Sequence, residues 1–169
     1  LLWDATPELT MLVTENPSYE GLTHRRAMFF TGEGLLVIAD QVSGPAAGNV
    51  GVHFNLCPGR IEYARDGTVR TLFADGNRIK TSATVPVQIR EEEGWVSTAY
   101  RKKEERPAYA VEAPKTAGGE LLFITVIAPD EAPFQGSIAI VPQKAPMGDT
   151  FRFAVRVGAK TYDLGYELK

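Results

Sequence analysis

Apolar and polar residues alternate along nearly the whole chain. Phe151, Phe153, Val155 and Val157 alternate with Thr150, Arg152, Ala154 and Arg156. After Gly158-Ala159 the rhythm resumes, Tyr162, Leu164, Tyr166 and Leu168 alternating with Asp163, Gly165, Glu167 and Lys169. Successive side chains of a strand point to opposite faces, so each run buries one face and wets the other. The two runs predict a closing antiparallel hairpin. The same period predicts strands near 8–15, 22–31, 34–43, 50–57, 68–74, 77–85, 86–91, 94–100, 108–113, 120–128 and 136–142. Turn residues punctuate them at Asn16-Pro17, Gly32-Glu33-Gly34, Gly44-Pro45, Gly118-Gly119 and Gly148-Asp149. Asp66-Gly67 and Asp75-Gly76 are expected to form tight type I′ hairpin turns, which need positive φ at both central residues. No window carries a capped helical spacing over ten or more residues, so no helix beyond a turn or two is expected.

About a dozen short strands with turns between them predict an all-β fold, an antiparallel two-sheet β-sandwich of the super-sandwich type. The runs LLVIAD (35–40) and LLFITVIAP (121–129) are almost continuously apolar, so both of their faces should be covered. The cover on the outer side is expected from a part of the protein that lies outside this sequence. No internal repeat or linker divides the chain, and residues 1–169 are taken as one domain.

Composition narrows the choice of partners. Hydrophobic residues make up 44% of the 169 positions, enough for a core, and a net charge of −3 supplies no basic field for nucleic acid. Cys57 is the single cysteine, so no intrachain disulfide can form. No apolar stretch approaches the roughly 20 residues of a membrane helix. The opening LLWDATPELTMLV suggests the interior of a longer polypeptide, and the chain is expected to be a C-terminal fragment.

The most specific signal lies in 10–44. Tyr19, then His24, Arg25 and Arg26, then a hairpin and the apolar run Leu36-Val37-Ile38-Ala39-Asp40 follow one another there. Downstream come VGVHFNLCPG (50–59), WVSTAYRKKEERPAYAVEAP (95–114) and LLFITVIAP (121–129). In this order the segments resemble the C-terminal β-sheet region of the heparinase II/III-like polysaccharide lyases, and the resemblance covers most of 10–130. It implies a parent enzyme that cleaves a uronic-acid-containing glycan by β-elimination, with this part structural and completing the cleft. The resemblance places the family's catalytic side chains and its zinc site upstream, beginning in an α-helical toroid domain. No catalytic residue, metal ligand or cofactor is therefore assigned here, and His24, Arg25, Arg26 and Asp40 are kept as a structural family motif. The implied partners are an acidic polysaccharide and the upstream toroid, with neither nucleic acid nor membrane. The implied location is periplasmic or secreted. The alternative is a free-standing carbohydrate-binding or surface-adhesion module.

The residues themselves offer few other chemical constellations. Zinc needs three or four converging ligands, and the chain has two histidines and one cysteine. His53 is expected on a strand surface, and His24 half buried beside Arg26 and Met28. Cys57 is expected to be a small, half-buried thiol, roughly 13 Å from His53 along an extended strand. Asp40 is expected to pair with Arg25 or Arg26 across the hairpin. RKKEER (101–106) predicts a solvated hairpin face and EEE (91–93) a charged turn. Trp95 and Tyr100 could stack on sugar rings, but strand spacing puts them on opposite faces, so at least one should be core.

Overall fold

A computed structural model describes residues 1–73, 75–140 and 148–168. It contains no helix among them. Fourteen strands form: β1 (Leu2–Ala5), β2 (Leu9–Tyr19), β3 (Leu22–Thr31), β4 (Leu36–Ser43), β5 (Gly48–Asn55), β6 (Ile61–Tyr63) and β7 (Val69–Thr71), then β8 (Asn77–Ala83), β9 (Gln88–Val96), β10 (Glu104–Lys115), β11 (Leu121–Pro129), β12 (Ile138–Ile140), β13 (Thr150–Val157) and β14 (Lys160–Glu167). All recorded strand pairings are antiparallel.

The strands make a large sheet in the order β1-β2-β3-β4-β11-β8-β7-β6 and two small ones, β5-β10-β9 and β12-β13-β14. Side-chain parity on β11 assigns the layers. Leu122, Ile124, Val126 and Ala128 point to one face, where they join Val13, Phe29 and Val37 in a core with Phe151, Phe153, Val155 and Leu164 of the β12-β13-β14 sheet. Phe29 meets Phe153 edge to face, with ring centroids 5.6 Å apart. On the opposite face Leu121 and Phe123 pack with Ala113, while Val69 and Ile79 pack with Tyr109 and Val111, all from β10. The expected sandwich is present, and a small sheet lies on each side of the large one. Each aliphatic or aromatic side chain so buried contributes about 1.5–3 kcal/mol.

This arrangement explains why LLFITVIAP is apolar on both sides: β11 runs between the two small sheets and is buried along most of its length. It also corrects several expectations. EEE is no turn. Glu91, Glu92 and Glu93 lie inside β9, paired with Tyr109, Ala108 and Pro107. β9 is an edge strand, and Glu91 and Glu93 stay in solvent there while discouraging further pairing. The two strands expected at 86–91 and 94–100 are therefore one. Asn16-Pro17 is no turn either. β2 continues to Tyr19, with a register shift between Asn16 and Tyr19 that accommodates Pro17, which has no N–H to give a ladder.

The Asp-Gly pairs are not type I′ turns. At the first, the Gly67 N–H donates to Ala64 O at 3.0 Å and only Gly67 has positive φ, 79°, so Arg65 and Asp66 form the turn and Gly67 makes the bulge. At the second, Gly76 keeps negative φ within a wider loop closed by the Asn77 N–H on Thr71 Oγ1 at 2.7 Å. β1 and β6 were not anticipated. The end of the strand expected at 68–74 and residues 141–142 of that expected at 136–142 lie outside the described residues.

Candidate functional site

The small β5-β10-β9 sheet covers only part of its side of the large sheet, and the β1–β4 end stays open. Register places the residues of that open face in rows. Trp3, Leu12, Met28 and Ile38 form one; Thr10, Phe30 and Leu36 form the next; Thr14, Arg26 and Asp40 form the third. His24 and Val42 follow. Trp3 is 66% exposed and Phe30 51%. An apolar platform thus ends in a polar cluster.

Asp40 is the centre of that cluster. It is 2% exposed and accepts from Arg26 Nε at 2.6 Å, from Arg26 Nη2 at 3.2 Å and from His24 Nε2 at 2.6 Å. A carboxylate only accepts, so this geometry puts a proton on His24 Nε2 and leaves Nδ1 as the second ring nitrogen. The cluster forms because His24 and Arg26 are two apart on β3 and share a face, while Asp40 pairs with Arg26 across the hairpin.

Arg25 points the other way. Its Nε and Nη2 donate to Glu15 Oε2 at 3.0 and 2.8 Å, and its Nη1 donates to Gly148 O at 2.6 Å and Tyr166 Oη at 3.3 Å. Burial opposes the Arg25 charge, but the bonds to Tyr166 and Glu15 outweigh it and raise the pKa. Tyr166 in turn donates to Gln41 Oε1 at 2.5 Å. The three consecutive residues His24, Arg25 and Arg26 therefore serve two layers: the middle one ties β3 to β14, and its neighbours bind Asp40.

The remaining candidates are scattered. His53 is exposed on the outer face of the β5-β10-β9 sheet, with Nδ1 2.8 Å from Glu92 Oε2. That contact lowers the Glu92 pKa against the opposing effect of burial, with Arg90 adding less. Cys57 is exposed rather than half buried, because β5 ends at Asn55 and the thiol lies beyond the strand's inward positions. Neither Trp95 nor Tyr100 is core. Tyr100 lies in the turn between β9 and β10, and Trp95 lies beyond Tyr109 and Val111, the inward residues that reach the large sheet.

Two buried cations, Arg78 and Lys115, were missed. Lys115 Nζ donates to Gly44 O at 2.6 Å, Ala46 O at 2.8 Å and Thr116 O at 3.2 Å, clamping the β4–β5 turn. Its signal was available, since Lys115 shares the inward parity of Tyr109, Val111 and Ala113.

Among the described residues no three His, Cys, Asp or Glu side chains converge to hold a metal. Asp40 in particular does not fit a cation, because a guanidinium already lies 2.6 Å from its carboxylate. A concavity of about 890 Å³ lies between β1 and the β13–β14 hairpin. Its charged side chains, Asp4, Arg152, Asp163 and Glu167, include no histidine.

Geometry therefore defines an all-β scaffold with an open apolar face bordered by a His–Asp–Arg cluster. The heparinase II/III-like C-terminal family matches residues 4–136, and the chain belongs to that family. It is 33% identical over 172 aligned positions to a heparin-sulfate lyase of Bacteroides stercoris, covering 99% of this chain and 26% of that protein. A heparin-sulfate lyase of Pedobacter heparinus is 32% identical over 146 positions, 84% of this chain and 22% of the relative. A crystal structure of heparinase III superposes with a TM-score of 0.89 at 26% identity, and a heparinase III with methylated lysines reaches 0.89 at 33%. Each alignment covers 99% of this chain and 27% of the other. The chain thus spans about a quarter of the length of these relatives.

Proposed function

We propose that this chain is the cleft-completing, structural β region of a longer polysaccharide lyase, which cleaves a heparan-sulfate-type, uronic-acid-containing glycan by β-elimination. The observation that carries the reading is the match of almost the whole chain to only a quarter of enzymes named as heparin-sulfate lyases. The open face supports it. Trp3, Leu12, Met28, Phe30, Leu36 and Ile38 form a continuous apolar surface with no cover from either small sheet, and such a surface normally marks a contact. An upstream toroid domain would cover it and form the opposite wall of the cleft.

The chemistry points the same way. β-Elimination needs a base for the proton next to the carboxylate, an acid for the leaving oxygen, and a group that stabilises the developing negative charge. Such groups help only within hydrogen-bond reach of the reacting atoms. His24 has one ring nitrogen committed to Asp40, and Arg26 is spent on the same carboxylate. The acid–base residues and the zinc that the resemblance implies belong upstream. A polymeric substrate too large to enter a cell fits a periplasmic or secreted enzyme.

The test compares the 169-residue chain with the longer polypeptide on heparan sulfate, following the ultraviolet absorbance of the unsaturated uronate product. The longer enzyme should turn over and the chain alone should not. Turnover by the chain alone, abolished by His24→Ala, would place the active site here and sink the proposal.

A further inference from the structure

The β9–β10 hairpin ends in a tip that none of the structural roles above uses. Trp95 is 40% exposed and Tyr100 88%, although both are large aromatics. Lys103 Nζ lies 3.8 Å from the Trp95 ring centroid, and Arg101 Cζ lies 5.2 Å from that of Tyr100. Arg101, Lys102 and Lys103 follow one another without an acidic residue between them. None of the three enters an ion pair among the described residues. Three unpaired cations beside two exposed rings stand out in a chain whose net charge is −3.

The tip is also held in shape. Lys102 N–H donates to Ala99 O at 3.0 Å, and Ser97 Oγ donates to the same carbonyl at 2.9 Å. Arg101 has φ of 61°, the only positive value at a non-glycine residue among those described. Left-handed backbone is disfavoured for a residue with a Cβ, so the sequence keeps an arginine where glycine would sit more easily. Glu93 accepts from Trp95 Nε1 at 2.5 Å, and Glu104 and Glu105 begin β10. These carboxylates confine the positive charge to the turn.

We infer that this tip is a contact site for an acidic glycan, separate from the His24–Asp40 cluster. Sulfate and carboxylate groups of the sugar chain would pair with Arg101, Lys102 and Lys103. The exposed faces of Tyr100 and Trp95 would pack on the C–H faces of pyranose rings. The three cations have no carboxylate partner to give up on binding, and charge-assisted bonds to oxyanions are the strong ones. β10 runs roughly 36 Å from this tip to Lys115 at the β4–β5 turn, so the tip would hold the polymer far from the cluster. The choice of a glycan over another polyanion rests on the lyase reading; the tip's capacity to hold an oxyanion does not.

The experiment uses the 169-residue chain with Trp3→Phe, which leaves Trp95 as its one indole. Its fluorescence is followed during titration with a heparin-derived hexasaccharide, an unsulfated heparosan hexasaccharide, a neutral dextran oligosaccharide and a single-stranded oligonucleotide. Saturable binding of the heparin hexasaccharide is expected, weaker binding of heparosan and none of dextran. The triple variant R101A/K102A/K103A should lose at least about tenfold in affinity, as removal of several charge-assisted contacts requires. Tyr100→Ala should also weaken binding, and His24→Ala should leave it unchanged. Circular dichroism checks that each variant keeps its sheets. No binding, equal affinity in the triple variant, or an oligonucleotide held as tightly as the heparin hexasaccharide would overturn the inference. An inactive longer polypeptide beside intact tip-dependent binding would sink the lyase reading and leave the tip standing.

Discussion

Asp40 shows how much one side chain settles here. A buried carboxylate is costly unless its lone pairs are met, and His24 and Arg26 meet them from one side of one strand. Asp40→Ala would remove the shared acceptor and leave two donors facing each other. Breaking a fully buried ion pair costs about 3–5 kcal/mol. Arg26 is partly exposed, which screens the loss, and we expect about 2 kcal/mol from urea unfolding of the chain. A change below about 0.5 kcal/mol, the usual size for a plain surface substitution, would show that Asp40 does not hold the β3–β4 hairpin. Lys115 is its counterpart at the β4–β5 turn, a buried cation satisfied by carbonyls alone. Its role was legible from parity, but a lysine on an inward position reads as an exception until its partners are seen.

At the scale of elements, the β3–β4 hairpin is fastened at its tip as well as its base. Glu33, in the Gly32-Glu33-Gly34 turn, faces Lys160 Nζ at 2.5 Å and accepts from Tyr162 Oη at 3.0 Å, so the large sheet is tied to β14. Lys160 and then Tyr162 lower the Glu33 pKa below its ordinary 4.5, against the opposing effect of burial. Because the folded pKa is depressed, the contribution is present above the ordinary carboxylate pKa and fades as pH falls through the folded value. A carboxyl titration by NMR should give Glu33 a midpoint below 4.5 that returns towards it in Lys160→Met. A midpoint unmoved by that substitution would show that the bridge does not hold in solution. Burial, and secondarily the bond to Glu33, push Tyr162 up to about 12. Its contribution is therefore present below pH 10 and lost as pH rises through the folded value.

Across the whole molecule the large sheet is the common partner of both small sheets, and the two cores differ in make-up. Phe29, Phe151, Phe153 and Tyr166 give the β12-β13-β14 side an aromatic core, while the other side relies on aliphatic residues with Phe123 and Tyr109. Phe29 joins layers rather than neighbouring strands, through its edge-to-face contact with Phe153. Phe29→Ala should cost about 3–5 kcal/mol of stability and loosen the terminal hairpin in particular. Hydrogen exchange of β13 and β14 amides is the measurement. Loss of protection spread evenly over all three sheets would argue against the layer-by-layer account. The uncovered β1–β4 face is the third feature at this scale.

The sequence by itself determined the strands and their two faces, because a period of two is a local property of the backbone. It also carried the family resemblance, which needs only the order of residues along the chain. It placed His24 and Arg26 on one face by the same parity. Only the tertiary structure decided what each face meets. Parity cannot tell whether an apolar face packs on the chain's own sheet, as on β11, or stays open, as on β1–β4. It could not choose between Arg25 and Arg26 as the partner of Asp40, since that depends on which layer lies beyond each face. Nor could it show that Trp95 and Tyr100 lie outside the core, because their exposure follows from where β10 passes the edge of the layer beneath it. Burial is a relation between elements distant in sequence, and no local pattern contains it.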